Sequence, residues 1–299
     1  MSLLCDMRDD ASKVYVGPRT AIQIESHEDG HTVIEYAGFD PEVYARLKDW
    51  CDANVSTDAK SAVLSIENAH QGPVLRHLGY DAQPLVRENY TDDVLQKFDA
   101  VVKSWTEGPT HGRVAILTGP PGTGKTHLVR GFMHAIQGAG FVVLPHGMLE
   151  SLGGPSLIGL LADAAEMRRK LVFVLEDADD ALVARDQGNM HLISSLLNLG
   201  DGLLGAALDL FVICTTNRKS NEIDPAILRA GRLAGKMDLK GLRKDQARRV
   251  LQRLNPRASL PEPTENNHST SVGFGADVSA PSWTLAELYE AARVGNDTE

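Results

Sequence analysis

Residues 119–126 read GPPGTGKT and fit the spacing G-x-x-x-x-G-K-[ST]. Gly119, Gly122 and Gly124 let a backbone wrap closely around phosphate and turn its N–H groups inward. Pro120 and Pro121 stiffen the loop entrance and carry no N–H that needs a partner, and Thr123 completes the run. Lys125 can reach β and γ phosphates as a cation, and the Thr126 hydroxyl can ligate Mg²⁺. About fifty residues on, Glu176 and Asp177 follow the apolar run LVFVL. In an open parallel sheet, ligands collect beyond the carboxyl ends of strands, so two acids there suit magnesium and water management. Glu176 would face the magnesium, through a bound water, and Asp177 would polarise the attacking water. Asp179 and Asp180 are read as structural, capping or salt-bridging the segment that follows.

The elements around these residues fall in the order the chemistry needs. RVAIL is a buried-strand pattern before the loop, and THLVRGFMHAI has helical apolar spacing after it. The helix start adds unpaired N–H donors and a favourable dipole. LVFVL is wholly apolar, as a central parallel strand should be. LFVICTT is another such strand, ending near Asn217, whose amide both donates and accepts. Asn217 could position water, sense a phosphate or simply form a turn. In DPAILRAGR, Asp224 is a cap candidate and Pro225 suits a first helical position, which predicts a short helix. Arg229 and Arg232 would share its face and could stabilise a transferring phosphoryl group, in cis or from a neighbouring subunit.

The N-terminal third has a different pattern. TAIQIES and TVIEYAG alternate around the turn HEDGH, which predicts a hairpin. Asp40, Pro41 and Glu42 begin a helix, and SAVLSI at 61–66 is a strand. These pieces make an α+β module over 1–82. Its histidines, His27, His31, His70 and His77, have no ligand or triad spacing, and Tyr36, Tyr44 and Trp50 read as core or contact residues.

Composition narrows the partners. The chain has 299 residues, 42% hydrophobic and 23% charged, with a net charge of -10, which argues against a dominant nucleic-acid surface. No run of 18 apolar residues would form a membrane segment, and the first residues lack a secretory signal's apolar core. Three scattered cysteines suggest a reducing compartment, and the expected localisation is cytoplasmic.

GPPGTGKT, FVLEDADDAL, LLNLGDGL and CTTNRKSNEIDPAILRAGRL, in that order, resemble the AAA+ ATPase family and, within it, the classical AAA group. The resemblance covers about residues 83–299. The helix expected near 190–199 with LLNLGDGL is similar to the branch of mitochondrial inner-membrane chaperones that assemble a respiratory complex. The family implies an α/β fold: a P-loop NTPase αβα sandwich with a five-stranded parallel sheet of order 5-1-4-3-2, over 83–240, and a small helical lid over 241–299. It implies ATP with Mg²⁺ and a homo-oligomer, usually a hexameric ring acting on a protein partner. By the same resemblance Gly119 to Thr126 form the Walker A loop, and Glu176 and Asp177 form the Walker B pair. Asn217 becomes sensor 1, and Arg229 and Arg232 the paired arginine fingers that serve the neighbour's nucleotide. Tyr90 and its neighbours fall near the adenine.

The chain departs from the family at several points. Most relatives have aspartate then glutamate, so Asp177 is one methylene short of the usual catalytic acid. The segment MLESLGGPSLIGLL offers Leu152 and no aromatic where remodelling ATPases line a pore. Ala234 stands where an acid usually follows the second arginine. The lid is expected from a helix over 243–255 and another after Ser282, separated by a long polar loop, with no sensor-2 arginine at the start of the last helix. The leading function is ATP hydrolysis coupled to remodelling of a macromolecular partner. Alternatives are a slow-turnover nucleotide-gated assembly protein, favoured by the exchanged acids, and a DNA-directed ATPase, disfavoured by charge. A small-molecule kinase would leave the arginine pair and the lid unexplained.

Overall fold

A computed structural model describes residues 2–6, 12–17, 20–26, 32–38, 40–54, 61–69, 72–79, 82–107, 112–144, 170–182, 209–263 and 281–294. Leu152, the segment around 190–199, LLNLGDGL, the side chain of Asp180 and those of the four N-terminal histidines lie outside what is described. The chain divides into two units, Met1–Ala59 and Lys60–Glu299.

In the first unit β1 (Ser2–Asp6), β2 (Ser12–Gly17), β3 (Thr20–Ser26) and β4 (Thr32–Gly38) form an antiparallel sheet in chain order. β3 and β4 are the expected hairpin, paired from Thr20↔Gly38 to Ser26↔Thr32. α1 (Pro41–Asn54) is capped as its sequence predicts: Asp40 Oδ1 accepts the N–H of Glu42 at 3.1 Å and of Val43 at 3.3 Å. Tyr44 and Trp50 are exposed.

The second unit is built on β5 (Ala62–Ala69), β6 (Gly72–Gly79), β7 (Val114–Thr118), β8 (Gly140–Val143), β9 (Leu171–Leu175), β10 (Leu210–Thr216) and β11 (Leu233–Asp238). Their order across the sheet is β11-β7-β10-β9-β8-β5-β6. All neighbours are parallel except β5 and β6, which are antiparallel. Counting β7 to β11 as core strands one to five, β11-β7-β10-β9-β8 is the parallel order 5-1-4-3-2 that the resemblance implied, and the β5–β6 hairpin, which it did not imply, extends the sheet to seven strands and makes it mixed. It also moves the expected module boundary. The 62–79 hairpin is not part of a separate 1–82 module, because β5 pairs with β8 from Ala62↔Gly140 to Ser65↔Val143. The cause is apolar: alternate residues Ala62, Leu64 and Ile66 join the buried cluster of Val142, Phe173 and Val212.

Every residue of β7, β9 and β10 is buried. One sheet face is covered by α2 (Asp92–Thr106) and α3 (Lys125–Ala135), through Phe98, Val101, Trp105, Leu128 and Phe132. Phe132 is fully enclosed, with its ring centroid 4.4 Å from that of Phe98. α4 (Asp179–Leu182) follows β9 directly. The short helix expected at DPAILRAGR is absent, and residues 225–228 form turns. Asp224 still caps the first turn, accepting the Ala226 N–H at 2.7 Å. The turns end at Gly231, which takes a left-handed φ of +92°, and the Arg232 carbonyl then accepts the N–H groups of Arg113 and Val114 as β11 starts beside β7.

The C-terminal elements, where the resemblance implied a lid, are β12 (Leu242–Arg243), α5 (Lys244–Leu254), β13 (Ser282–Trp283) and α6 (Leu285–Val294). Ala247, Val250 and Leu251 of α5 pack with Trp283, Leu285 and Leu288 in a separate apolar cluster. α6 begins with a reciprocal cap: the Thr284 N–H donates to Glu287 Oε2 at 2.7 Å, and the Glu287 N–H to Thr284 Oγ1 at 3.3 Å.

Candidate nucleotide site

The loop between β7 and α3 turns at glycines. Gly124 has φ +91°, and a Cβ there would lie 2.7 Å from Leu285 Cδ1 and 3.1 Å from the Tyr90 hydroxyl. Only glycine meets both the torsion and the space. Gly119 is pressed against the Leu239 carbonyl in the same way. The Thr123 hydroxyl braces the loop by donating to the Pro120 carbonyl at 2.8 Å. The first N–H groups of α3 have no intrahelical acceptors and open at this loop, which favours an anion.

Lys125 is only 9% exposed. Its Nζ donates to the carbonyls of Gly119 at 2.8 Å and Pro120 at 3.1 Å, and to Asn217 Oδ1 at 2.8 Å. Burial pushes its pKa below the ordinary lysine value, and the charges of Asp177 and Asp179 oppose that shift. The Thr126 hydroxyl donates to Glu176 Oε1 at 3.3 Å. Asp177 takes φ +49°, an uncommon left-handed torsion that aspartate tolerates better than most residues. Its N–H donates to Thr215 Oγ1 at 3.0 Å, and its Oδ1 lies 3.5 Å from Asn217 Nδ2. Asn217 thus stands between the lysine and the acid.

Pro121, Gly122, Gly124, Lys125, Thr126, Glu176, Asp177 and Asn217 line one open cavity of about 880 Å³. That volume suits a nucleoside triphosphate. The Thr126 hydroxyl and the Glu176 carboxylate are hard oxygen donors that fit magnesium, which takes one or two carboxylates beside phosphate oxygens. Among the described residues no group of three or more His, Cys, Asp or Glu could hold a metal by itself.

The cavity also has a wall that motif reading missed. Asn89, Leu285, Ala286, Tyr289 and Arg293 line it, and the Ala286 N–H donates to the Gly122 carbonyl at 3.1 Å. Leu285, Tyr289 and Arg293 are four residues apart on α6, so a helical-face reading of the last helix would have found this stripe. Tyr90, expected near the base, does not line the cavity. It is buried behind the loop, where its hydroxyl donates to the Gly124 carbonyl at 2.9 Å and burial raises its pKa. Its neighbour Asn89 does line the cavity, donating through Nδ2 to the Tyr289 hydroxyl at 3.2 Å and accepting from Arg253 Nη2 at 2.7 Å. Arg229 and Arg232 are not brought to this cavity. Arg229 is exposed, and Arg232 Nη1 donates to the Ala226 carbonyl at 3.0 Å.

Residues 115–240 match the family model described as "ATPase family associated with various cellular activities (AAA)". Relatives include proteins named 26S proteasome regulatory subunit 6B homolog. The one from Dictyostelium discoideum is 30% identical over 50% of this chain and 38% of its own length. The one from Aspergillus niger is 28% identical over 58% of this chain and 42% of its own. The one from Saccharomyces cerevisiae is 30% identical over 46% of this chain and 34% of its own. The chain thus matches less than half the length of each of these relatives. These matches support the broad AAA group and do not single out the mitochondrial chaperone branch.

Proposed function

We propose, from the match of residues 115–240 to the AAA family model, that this chain hydrolyses ATP as a subunit of a homo-oligomeric ring, hexameric by family likeness, and couples turnover to remodelling of a protein partner. The observation that carries the reading is the convergence of Lys125, Thr126, Glu176, Asp177 and Asn217 on one cavity at the carboxyl ends of parallel strands. The loop N–H groups and Lys125 bind the phosphates. Asp177 orients the attacking water and accepts its proton, and Asn217 holds that water against the γ-phosphate. A magnesium ion held through Thr126 and Glu176 would neutralise charge on the phosphate oxygens. Arg229 and Arg232, exposed or half-buried and away from their own chain's cavity, supply positive charge to the nucleotide of the adjacent subunit.

The relatives' names as regulatory subunits of a proteasome support a protein partner, and the net charge of -10 supports protein over nucleic acid. The first unit, with its four-stranded sheet, is the candidate partner-binding module. Among the described residues no helix is long and apolar enough to cross a membrane, and a cytoplasmic setting is part of the proposal. The test is Lys125→Ala, with ATP affinity measured by equilibrium binding and turnover by phosphate release. Both should fall by at least about tenfold, since a charge-assisted contact to phosphate is lost. Unchanged affinity together with unchanged turnover would end this site assignment.

A further inference from the structure

Two residues past Asp177, Asp179 does not line the cavity, yet its carboxylate is tied to what does. Asp179 Oδ1 accepts the Thr216 hydroxyl at 2.5 Å and the Asn217 backbone N–H at 2.9 Å. Thr216 is fully buried, and its Oγ1 also accepts the Arg218 N–H at 3.0 Å. One carboxylate oxygen therefore fixes the chain on both sides of the point where β10 ends. Asn217 lies at that point, with Oδ1 on Lys125 and Nδ2 toward Asp177.

We infer that Asp179 is a positioning residue for hydrolysis, holding the Asn217 amide between Lys125 and Asp177. The inference rests on the ATPase reading above. Two more bonds join the same strand ends: the Asp177 N–H to Thr215 Oγ1 at 3.0 Å and the Ala178 N–H to the Thr215 carbonyl at 2.8 Å. They fix Asp177 and Ala178, but neither acts on Asn217. Asp179 is the described carboxylate whose bonds reach Asn217's own backbone. The spacing Asp177–Ala178–Asp179 thus divides two acids by direction. Asp177 faces the cavity, and Asp179 turns back onto the neighbouring strand end.

A small displacement of Asn217 should act on the chemical step more than on ATP binding, because the loop and Lys125's two carbonyl contacts remain. Asp179→Ala should lower kcat about 30-fold, within the range a misplacement near 1 Å produces, with KM changed less than about threefold. Asp179→Asn keeps an oxygen acceptor and should lose only about three- to fivefold, a partial rescue. The deciding readout is a double-mutant cycle with Asn217→Ala. Once the amide is gone, Asp179→Ala or Asp179→Asn should cost less than about twofold further in kcat. If Asp179→Ala does not fold, Asp179→Asn in both backgrounds carries the same cycle. Additive losses, or a change confined to KM, would overturn the inference while leaving the ATPase reading intact. A wild-type chain without Lys125-dependent turnover would instead remove the ATPase reading, and this inference with it.

Discussion

Asp177 and Glu176 are adjacent in sequence but leave β9 in different directions. Glu176 meets the Thr126 hydroxyl at 3.3 Å, while the left-handed turn at Asp177 aims its carboxylate toward Asn217 at 3.5 Å. That divergence supports the two roles proposed for them. Asp177→Asn should retain ATP binding and lose turnover by about 10²-fold or more, the usual weight of a general base. Binding is read by equilibrium titration and turnover by phosphate release. Normal hydrolysis by that variant would transfer the base role, and Glu176→Gln would then be the variant to lose it. The loop, the acid pair and Asn217 were readable because each sits at a fixed offset from an apolar strand. Asp179's bonds to Thr216 and Asn217 were not readable, since they cross between strands separated by more than thirty residues. The same holds for Asn89 and Tyr289, which meet across 200 residues of sequence.

Between core and lid, the segment leading into α2 acts as a clasp. Asn89 reaches both Arg253 on α5 and Tyr289 on α6, and Gln246 Nε2 donates to the Tyr90 carbonyl at 2.8 Å. Asn89→Ala would leave both lid partners without this buried amide. Arg253 is exposed and also faces Glu88 at 3.6 Å, and Tyr289 is half-buried, so water can replace the lost amide and the chain should be destabilised by about 0.5–1.5 kcal/mol, the net worth of a typical hydrogen bond. Denaturant unfolding measures that loss, and hydrogen exchange should show α5 and α6 losing protection first. No stability loss and unchanged lid exchange would mean the clasp is incidental. Phe132→Ala, on the buried face of α3, should cost about 3–5 kcal/mol by the same unfolding measurement. Strands with continuous apolar runs, such as β7, β9 and β10, were plain in the sequence. The first unit's β1 and β2 were not, and neither was β6, whose GPVLRHLG mixes proline, arginine and histidine in an edge strand. Nor could local pattern reveal that the 62–79 hairpin would add to the β8 edge, because pairing partners are set by tertiary burial. At DPAILRAGR the local caps favour a helix, whereas the left-handed Gly231 and the pairing of β11 with β7 that begins at Leu233 are not legible in local pattern.

For the whole molecule, one chain holds a triphosphate-sized cavity and, away from that cavity, an exposed arginine. In the proposed ring, the arginines of one subunit complete the nucleotide cavity of the next. The N-terminal unit's own chemistry was silent in sequence and offers no described cluster that could hold a metal. The most direct measurement is therefore complementation between two inactive chains. Lys125→Ala chains keep their arginines, and Arg229→Ala/Arg232→Ala chains keep an intact nucleotide cavity. Each alone should turn over slowly, the arginine-less chain by about 10³-fold or more where the fingers are the main stabiliser. Phosphate release is followed after mixing, with mixed oligomers verified by mass. Trans-acting fingers predict recovered turnover in the mixture, above the sum of the two separate rates. No recovery in verified mixed oligomers would contradict that role, as would a wild-type rate per chain that stays constant down to a demonstrated monomer.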